Sequence, residues 1–233
     1  MSLLAVRGLT KEYGGVRAVN NVTLDIPQGE VRALIGPNGA GKTTLVGMIA
    51  GRIAPSAGRV KFAGRDVTRL PAHRRNLLGM AYTFQITSVF ARLPVAENIA
   101  LAARRHMRRA DVPGAVQAAL ARVGLTDTGA AGDLSYGHQR LLEIAMGLVQ
   151  SPRLLILDEP TQGLAESEIA GFLALVRGLA RQTTILLIEH NMDVVMALAD
   201  RVTVLAAGEV LMTGTPAEVR ADPGVQAAYL GAP

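Results

Sequence analysis

A glycine-rich run stands near the start of the chain: Gly36-Pro37-Asn38-Gly39-Ala40-Gly41-Lys42-Thr43. The short apolar run 31–35 precedes it and is typical of a buried parallel strand. Residues 43–50 follow with the pattern of a helix, which Gly51 closes. A strand, a glycine-rich turn and a helix in this order predict an α/β fold built on a parallel sheet.

The glycine-rich run matches the pattern G-x-x-x-x-G-K-[ST], for which the composition predicts only about 0.003 chance matches. Glycines let such a loop turn its N–H groups inward toward phosphate oxygens, at the positive end of the following helix. Lys42 would then reach the β- and γ-phosphates, and the Thr43 hydroxyl would bind Mg²⁺. The alternative is an ordinary glycine-rich turn before a helix.

Two acids follow a second apolar run, 154–157: Asp158 and Glu159. A carboxylate at the end of a core strand can hold Mg²⁺, and the next acid can orient or deprotonate an attacking water. We assign Asp158 to Mg²⁺ and Glu159 to the water. A solvated strand end is the ordinary interpretation of such a pair, but the phosphate loop in the same chain favours hydrolysis.

The composition is that of one well-packed domain. The 233 residues are 49% hydrophobic and include no cysteine, so no disulfide framework or thiolate metal site is expected. We find no signal peptide and no apolar run of the roughly 18 residues that a membrane-spanning helix needs. The basic cluster 104–109 has no interleaved aromatic residues, which favours a solvated helix end over a nucleic-acid surface.

Strand and helix patterns alternate at both ends of the chain, and the middle is helical. We predict a core from about 1–90 and 151–215, a helical subdomain at about 91–150, and a helical tail at about 216–233. The tail is predicted to break at Pro223-Gly224. The predicted strands are 3–7, 16–26, 31–35, 59–62, 80–84, 154–157, 184–188 and 202–205, and the later helices are 166–181 and 192–199.

One further motif connects these features to a known family. The segment Leu134-Ser135-Tyr136-Gly137-His138-Gln139 resembles the signature motif of ABC ATPases, usually written LSGGQ. Gln85, before the helical block, resembles that family's Q-loop glutamine, and His190 resembles its switch histidine. Tyr13 stands where the family stacks an aromatic ring on adenine. Each residue alone has an ordinary structural interpretation, but together they cover the whole chain in the family's order.

The resemblance implies a P-loop NTPase fold: a RecA-like, mostly parallel sheet, an antiparallel β subdomain and an inserted α-helical signature subdomain. It implies ATP and Mg²⁺ as cofactors, with catalysis by Glu159, His190 and Gln85. Mg²⁺ would be held by Thr43, Gln85 and Asp158. The nucleotide contacts would be Tyr13, Gly36, Asn38, Gly39, Ala40, Gly41, Lys42, Thr43 and Thr44.

The resemblance also implies partners. Ser135 and Gly137 would contact ATP held by a second ABC ATPase subunit, in a head-to-tail homodimer or heterodimer. The surface at 85–97 would receive transmembrane permease subunits, and a substrate-binding protein would act indirectly. The chain would then work on the cytoplasmic side, peripheral on the inner face of the cell membrane, with no nucleic acid partner.

The chain departs from the family pattern at three positions. Tyr136 and His138 stand where glycine and glutamine are usual, and Ala165 stands where aspartate is usual after the acidic strand. Because Ser135 and Gly137 remain, phosphate binding is expected to survive. The alanine puts tight coupling between two ATP sites in doubt and is compatible with a non-identical partner subunit.

Several longer segments resemble the branched-chain amino acid importer branch, some relatives of which carry urea, amides or aromatic acids. These are 34–45, 134–137, 142–145, 187–192, 214–223 and 228–231. Alternatives stay open: an exporter or lipid-extractor ATPase, a soluble ABC-type ATPase of DNA repair or translation, or a small-molecule P-loop kinase. The repair proteins carry a long coiled coil, the translation factors carry two phosphate loops, and a kinase would leave 134–139 and His190 without a role.

Overall fold

The protein is described by a computed structural model over residues 2–83, 88–126 and 129–230. Its contacts divide the chain into two compact units. The first unit is Met1–Leu78 with Thr184–Pro233, and the second is Gly79–Thr183.

Ten strands and nine α-helices are found among the described residues. The strands are β1 (Ser2–Tyr13), β2 (Val16–Pro27), β3 (Val31–Ile35), β4 (Ala57–Phe62), β5 (Arg65–Asp66), β6 (Met80–Tyr82), β7 (Leu154–Asp158), β8 (Thr184–Ile188), β9 (Arg201–Ala206) and β10 (Glu209–Gly214). The helices are α1 (Lys42–Ala50), α2 (Ala72–Leu77), α3 (Val95–Ala103), α4 (Val112–Val123), α5 (Tyr136–Leu148), α6 (Glu166–Ala180), α7 (Met192–Leu198), α8 (Pro216–Ala221) and α9 (Pro223–Leu230).

The first unit contains an antiparallel sheet and a mostly parallel group of strands. In the antiparallel sheet the strand order is β2-β1-β4-β5. In the second group β3 pairs in parallel with both β8 and β9, and β10 pairs antiparallel with β9. All five residues of β3 and of β8 are buried, as expected for parallel strands covered on both faces. The predicted antiparallel subdomain and parallel core are therefore confirmed.

The second unit joins a parallel strand pair, β6 and β7, to three helices. Helices α3, α4 and α5 bury apolar stripes at helical spacing, such as Val112, Val116 and Val123 of α4. Ser135 begins α5 as its N-cap, because its Oγ accepts a hydrogen bond from the His138 N–H at 3.2 Å. This part of the chain contains the block that the apolar spacing predicts to be helical.

Some boundaries differ from the sequence prediction. The tail consists of two short helices as predicted, but they divide at Asp222, one residue earlier, since α9 begins at Pro223, which is compatible with the first turn of a helix. Strand β1 extends to Tyr13 as one arm of a hairpin, and the sequence did not predict β10 or α2. The arginines of the basic cluster 104–109 are exposed just after α3 ends. Within the described ranges, no helix has both the length and the apolar character needed to cross a membrane.

Candidate active site

The phosphate loop leaves β3 at Gly36 and enters α1 at Lys42 within the first unit. Two of its glycines lie against backbone carbonyls. A Cβ atom built on Gly36 would approach the Leu205 oxygen to 2.1 Å, and one built on Gly41 would approach the Ala18 oxygen to 2.2 Å. Gly41 also has a left-handed φ of 95°. Only glycine fits these positions, which fixes the curvature of the loop.

Lys42 folds back over the loop that precedes it. Its Nζ donates hydrogen bonds to the carbonyl oxygens of Gly36, at 2.6 Å, and Pro37, at 3.0 Å. No acidic side chain stands in the first turn of α1, so that turn itself carries no negative charge against the positive end of the helix. A cation, a helix N-terminus and a curved glycine-rich backbone together fit a ligand with several phosphate oxygens.

The other predicted nucleotide contacts of the loop differ in exposure. Asn38, Gly39 and Thr43 are exposed, Thr44 is half-buried, and Ala40 is buried. The Ala40 carbonyl accepts a hydrogen bond from the Gly208 N–H at 3.1 Å, which ties the loop to the β9–β10 turn. The exposed positions are the ones at which a nucleotide could enter.

A buried arginine secures the far end of α1. Arg75 is 1% exposed, and its guanidinium donates to the carbonyls of Met48 and Ile49 in the last turn of α1 and to those of Thr68 and Leu70. Burial lowers the pKa of Arg75 to about 10, which still leaves it charged at neutral pH. The sequence analysis did not identify this residue, because its partners are all main-chain oxygens.

Tyr13 lies at the end of the β1–β2 hairpin in the same unit. Its ring is 49% exposed, and the Lys11 ammonium stands 4.8 Å from the ring centroid. Further along the hairpin, the Ala18 carbonyl of β2 is the atom that faces Gly41. The hairpin that carries the predicted adenine-stacking residue therefore contacts the phosphate loop directly.

His190 follows β8 and is exposed, whereas its neighbour Glu189 is only 1% exposed. The Glu189 carboxylate accepts hydrogen bonds from the N–H groups of His190, at 3.0 Å, and Asn191, at 3.2 Å. Asn191 in turn caps α7. Glu189 thus fixes the turn that presents His190. Sequence reasoning missed this role, although an acid directly after an apolar strand was a visible signal.

In the second unit, β7 ends at Asp158, which is 3% exposed, and Glu159 follows. The Tyr82 hydroxyl of the adjacent strand β6 donates a short hydrogen bond to the Asp158 carboxylate. Glu159 is half-buried and has a φ of 47°, in the left-handed region that non-glycine residues rarely adopt. Tyr82 was not predicted as a site residue. Gln85 lies outside the described residues.

The signature segment contains the predicted Ser135 and Gly137 at the start of α5. The Tyr136 ring lies against Gly163, where an added Cβ would meet it at 3.0 Å, and the Arg140 guanidinium is 5.7 Å from its centroid. Gly163 therefore makes room for the tyrosine that replaces the usual glycine. The unusual Tyr136 thus packs two residues away from the other unusual position, Ala165.

Ala165 stands at the N-cap position of α6 and has no side-chain acceptor. Glu168 supplies a side-chain hydrogen bond to this cap, since its Oε2 accepts from the Ala165 N–H at 2.9 Å. Its other carboxylate oxygen faces Gly137 of the signature helix. The alanine thus leaves α6 with half of a capping box, and an acid faces the signature helix.

The predicted site residues therefore form two groups. The first unit contains the phosphate loop, Tyr13 and His190. The second unit contains Asp158, Glu159, Ser135 and Gly137.

The sequence matches the family model described as "ABC transporter" over residues 19–162. A second model, described as "Branched-chain amino acid ATP-binding cassette transporter", matches residues 209–233. The chain is 38% identical to the high-affinity branched-chain amino acid transport ATP-binding protein BraF of Pseudomonas aeruginosa, over 98% of both chains. It is 39% identical to the corresponding protein LivG of Escherichia coli K12, also over 98% of both chains.

The solved structures lead to the same family. The fold matches the crystal structure of the ADP conformation of MJ1267, an ATP-binding cassette of an ABC transporter, with a TM-score of 0.89 and 27% identity over 99% of both chains. It also matches a nucleotide-free ATP-binding cassette from an ABC transporter, with a TM-score of 0.88 and 28% identity over 99% of this chain and 100% of the other. The P-loop NTPase fold predicted from the sequence is confirmed, and the chain belongs to the ABC transporter family as one of its ATP-binding and ATP-hydrolysing subunits.

Proposed function

We propose that this chain supplies the energy for an importer of branched-chain amino acids. The observation that carries the proposal is the extent of the match. The likeness to BraF and LivG spans nearly all of both chains, and a model of the branched-chain branch matches the C-terminal segment 209–233. The match therefore includes the C-terminal segment as well as the segments that carry the ATP chemistry.

The reaction is hydrolysis of ATP: water attacks the γ-phosphorus, the bond to the β–γ bridging oxygen breaks, and ADP and phosphate leave. Lys42 and the loop N–H groups would neutralise phosphate charge, and Tyr13 would stack on adenine. Glu159 would orient the water and accept its proton. The left-handed backbone at Glu159 supports this role, because strained residues concentrate where a side chain must be held in one direction.

Thr43 and Asp158 have the oxygen donors that Mg²⁺ prefers, and the Q-loop residue Gln85 completes the proposed set. When bound, Mg²⁺ would offset charge on the β- and γ-phosphate oxygens. Tyr82 would hold the Asp158 carboxylate in one orientation. His190 would act beside the γ-phosphate, on a turn that Glu189 fixes.

Two such subunits would sandwich ATP head to tail. Ser135 and the N-terminus of α5 would meet the phosphates of ATP held by the partner, since N–H groups at a helix start attract anions. Tyr136 is 40% exposed beside this position. The partner is either a second copy of this chain or a related ATPase, and the alanine at position 165 is compatible with a non-identical partner.

The surface for the permease subunits would be the segment before and along α3. Phe90 is 55% exposed there, on a turn that the buried Asn98 fixes. The Asn98 side chain accepts from the Phe90 N–H at 2.7 Å and donates to the carbonyls of Phe90 and Pro94. An exposed aromatic ring on a rigid turn is typical of a protein-binding surface.

A subunit bound to the permease in this way would lie on the cytoplasmic face of the membrane, and a substrate-binding protein would act on the opposite face.

Uptake measurements test this proposal. Cells that carry the wild type, Glu159→Gln or Glu166→Gln would be given labelled leucine, a labelled aromatic acid or labelled urea. Glu166 is an exposed acid in the first turn of α6 and serves as the matched control. We expect Glu159→Gln alone to abolish leucine uptake, because the attacking water loses its carboxylate.

Loss of uptake of the aromatic acid or of urea, with leucine uptake unchanged, would show that branched-chain amino acids are not the transported substrate. No loss of any uptake, with ATP hydrolysis abolished in purified Glu159→Gln, would overturn the import role. Unchanged ATP hydrolysis in that variant would overturn the assignment of Glu159.

A further inference from the structure

A buried ion pair lies in the second turn of α5, the helix that Ser135 caps. Arg140 and Glu143 are 2% and 6% exposed, and the Arg140 Nη1 donates to the Glu143 carboxylate at 3.0 Å. Removing two charges from water costs free energy, which their attraction offsets only when further hydrogen bonds satisfy both groups. Such a pair is a weak source of stability, so the other contacts of the guanidinium matter for its role.

The same guanidinium reaches the residue that is proposed to orient the attacking water. Its Nη2 donates to the main-chain carbonyl of Glu159 at 3.5 Å, and the Gln162 N–H donates to that carbonyl at 3.2 Å. A carbonyl oxygen has two lone pairs, so both donors can act together. Because the guanidinium is charged, its long contact is stronger than one from a neutral donor would be. Two donors thus hold the peptide unit that follows Glu159 in one orientation.

Glu159 depends on such contacts because of its backbone. Its φ of 47° costs free energy in a residue other than glycine, and it persists only where the surrounding structure enforces it. A return to an ordinary conformation would turn the carbonyl away from Arg140 and aim the Cα–Cβ bond in another direction. The direction of the Glu159 carboxylate therefore depends on a contact that α5 supplies.

A second contact connects the same helix to the same loop. The Tyr136 ring lies 5.7 Å from the Arg140 guanidinium, and an added Cβ on Gly163 would meet this ring at 3.0 Å. The start of α5 and the loop after β7 therefore touch at two points. Because close-packed interiors transmit displacements, a shift of the helix start would move the loop that carries Glu159.

We propose that Arg140 is a positioning residue for Glu159: it holds the main chain that aims the carboxylate at the attacking water. The inference rests on the proposed function, in that Glu159 must be the acid that orients this water. Arg140 also couples that acid to the start of α5 in the same subunit. Binding of the partner's ATP at Ser135 is thereby communicated to the acid of the subunit that carries the serine.

The test uses the full chain and compares two conservative substitutions. Arg140→Lys keeps a cation beside Glu143 but removes the planar fork that serves two acceptors at once. Arg122→Lys is the matched control, because Arg122 is an exposed arginine of α4 that donates to the Gln182 side chain. Arg140→Lys is also combined with Glu159→Gln. The measurements are kcat and KM for ATP with Mg²⁺, the Kd for ADP, and the midpoint of thermal unfolding.

For Arg140→Lys we expect kcat to fall by about tenfold to a hundredfold, the effect of misplacing a reacting group by up to about 1 Å. KM and the Kd for ADP should stay within about twofold of the wild type, and the unfolding midpoint within about 5 °C. In the Glu159→Gln background, the same substitution should change the residual rate by less than about twofold, because it acts through the carboxylate. Arg122→Lys should match the wild type in all four measurements.

An unchanged kcat in Arg140→Lys would overturn the inference, and so would an equal fold-loss in the Glu159→Gln background. A fall in kcat together with weaker ADP binding and a much lower midpoint would show that Arg140 only maintains the fold. Unchanged hydrolysis in Glu159→Gln alone would instead overturn the proposed role of Glu159.

Discussion

The close approach of Gly41 to β2 predicts a large difference between two similar substitutions in the phosphate loop. Gly39 and Gly41 both have left-handed φ angles, 79° and 95°. An added Cβ would meet nothing within 4 Å at Gly39, but at Gly41 it would stand 2.2 Å from the Ala18 oxygen. Gly39→Ala is therefore a control for the backbone strain that alanine introduces at either position.

The structure allows an estimate of each cost. The left-handed backbone alone costs about 1–2 kcal/mol for alanine. At Gly41 the loop or β2 must also move by roughly 0.8 Å to reach the closest contact that real Cβ atoms show. Such a movement strains the hydrogen bonds of Gly208 to Ala40 and Asn20, each worth about 1 kcal/mol. Gly41→Ala should thus cost about 3–4 kcal/mol in the free energy of unfolding.

Thermal unfolding without nucleotide measures the difference. We expect the midpoint to fall by about 2–8 °C for Gly39→Ala and by about 6–16 °C for Gly41→Ala. Omitting the nucleotide matters, because a ligand would stabilise variants that bind it. Equal decreases in the two variants would show that the Ala18 carbonyl does not restrict the loop, and the steric argument would fail.

Three further predictions follow from other contacts. Arg75→Met should lower the free energy of unfolding by roughly 3 kcal/mol in urea titrations, since four carbonyls lose their common donor. Tyr82→Phe should raise the Mg²⁺ concentration needed for half-maximal ATP hydrolysis by about threefold to tenfold, because the Asp158 carboxylate loses its orienting hydrogen bond. Ser135→Glu should block hydrolysis but leave ADP binding to the single subunit unchanged, since the added charge repels only the partner's phosphates.

The first of these predictions has a control variant, and each of the other two has an outcome that would contradict it. Arg74→Met, on the same helix but exposed, should leave the unfolding free energy within about 0.5 kcal/mol of the wild type. A Tyr82→Phe protein with an unchanged Mg²⁺ titration would show that the hydroxyl does not support Asp158. If Ser135→Glu loses ADP binding and thermal stability together, Ser135 is only a helix cap.

Local patterns in the sequence were sufficient for the phosphate loop and its flanking elements. The run 31–35, the glycines and the start of α1 depend on neighbours a few residues apart, so their structure is encoded locally. The acid pair 158–159 and the Ser135 cap could be predicted for the same reason. The family resemblance supplied the antiparallel subdomain, for which the early strands gave only partial support.

Contacts between distant segments could not be predicted. The Tyr82 hydroxyl reaches Asp158 only because β6 pairs with β7, and that pairing has no signature in either strand. Arg75 binds main-chain oxygens, which every residue has, so no sequence pattern marks its partners. The packing of Val219 and Val225 against Ile35 joins opposite ends of the chain, and no local pattern in the sequence marks it.

The left-handed backbone at Glu159 has a consequence for how this sequence changes over generations. A glycine or asparagine there would relieve strain of about 1 kcal/mol or more, so selection for stability alone would replace the acid. In the role proposed for Glu159, selection for ATP turnover opposes that replacement. In a duplicated gene that is no longer under selection for transport, we therefore expect an early substitution of this acid, together with a more stable fold. The residue at position 159 would then distinguish copies that hydrolyse ATP from copies that do not.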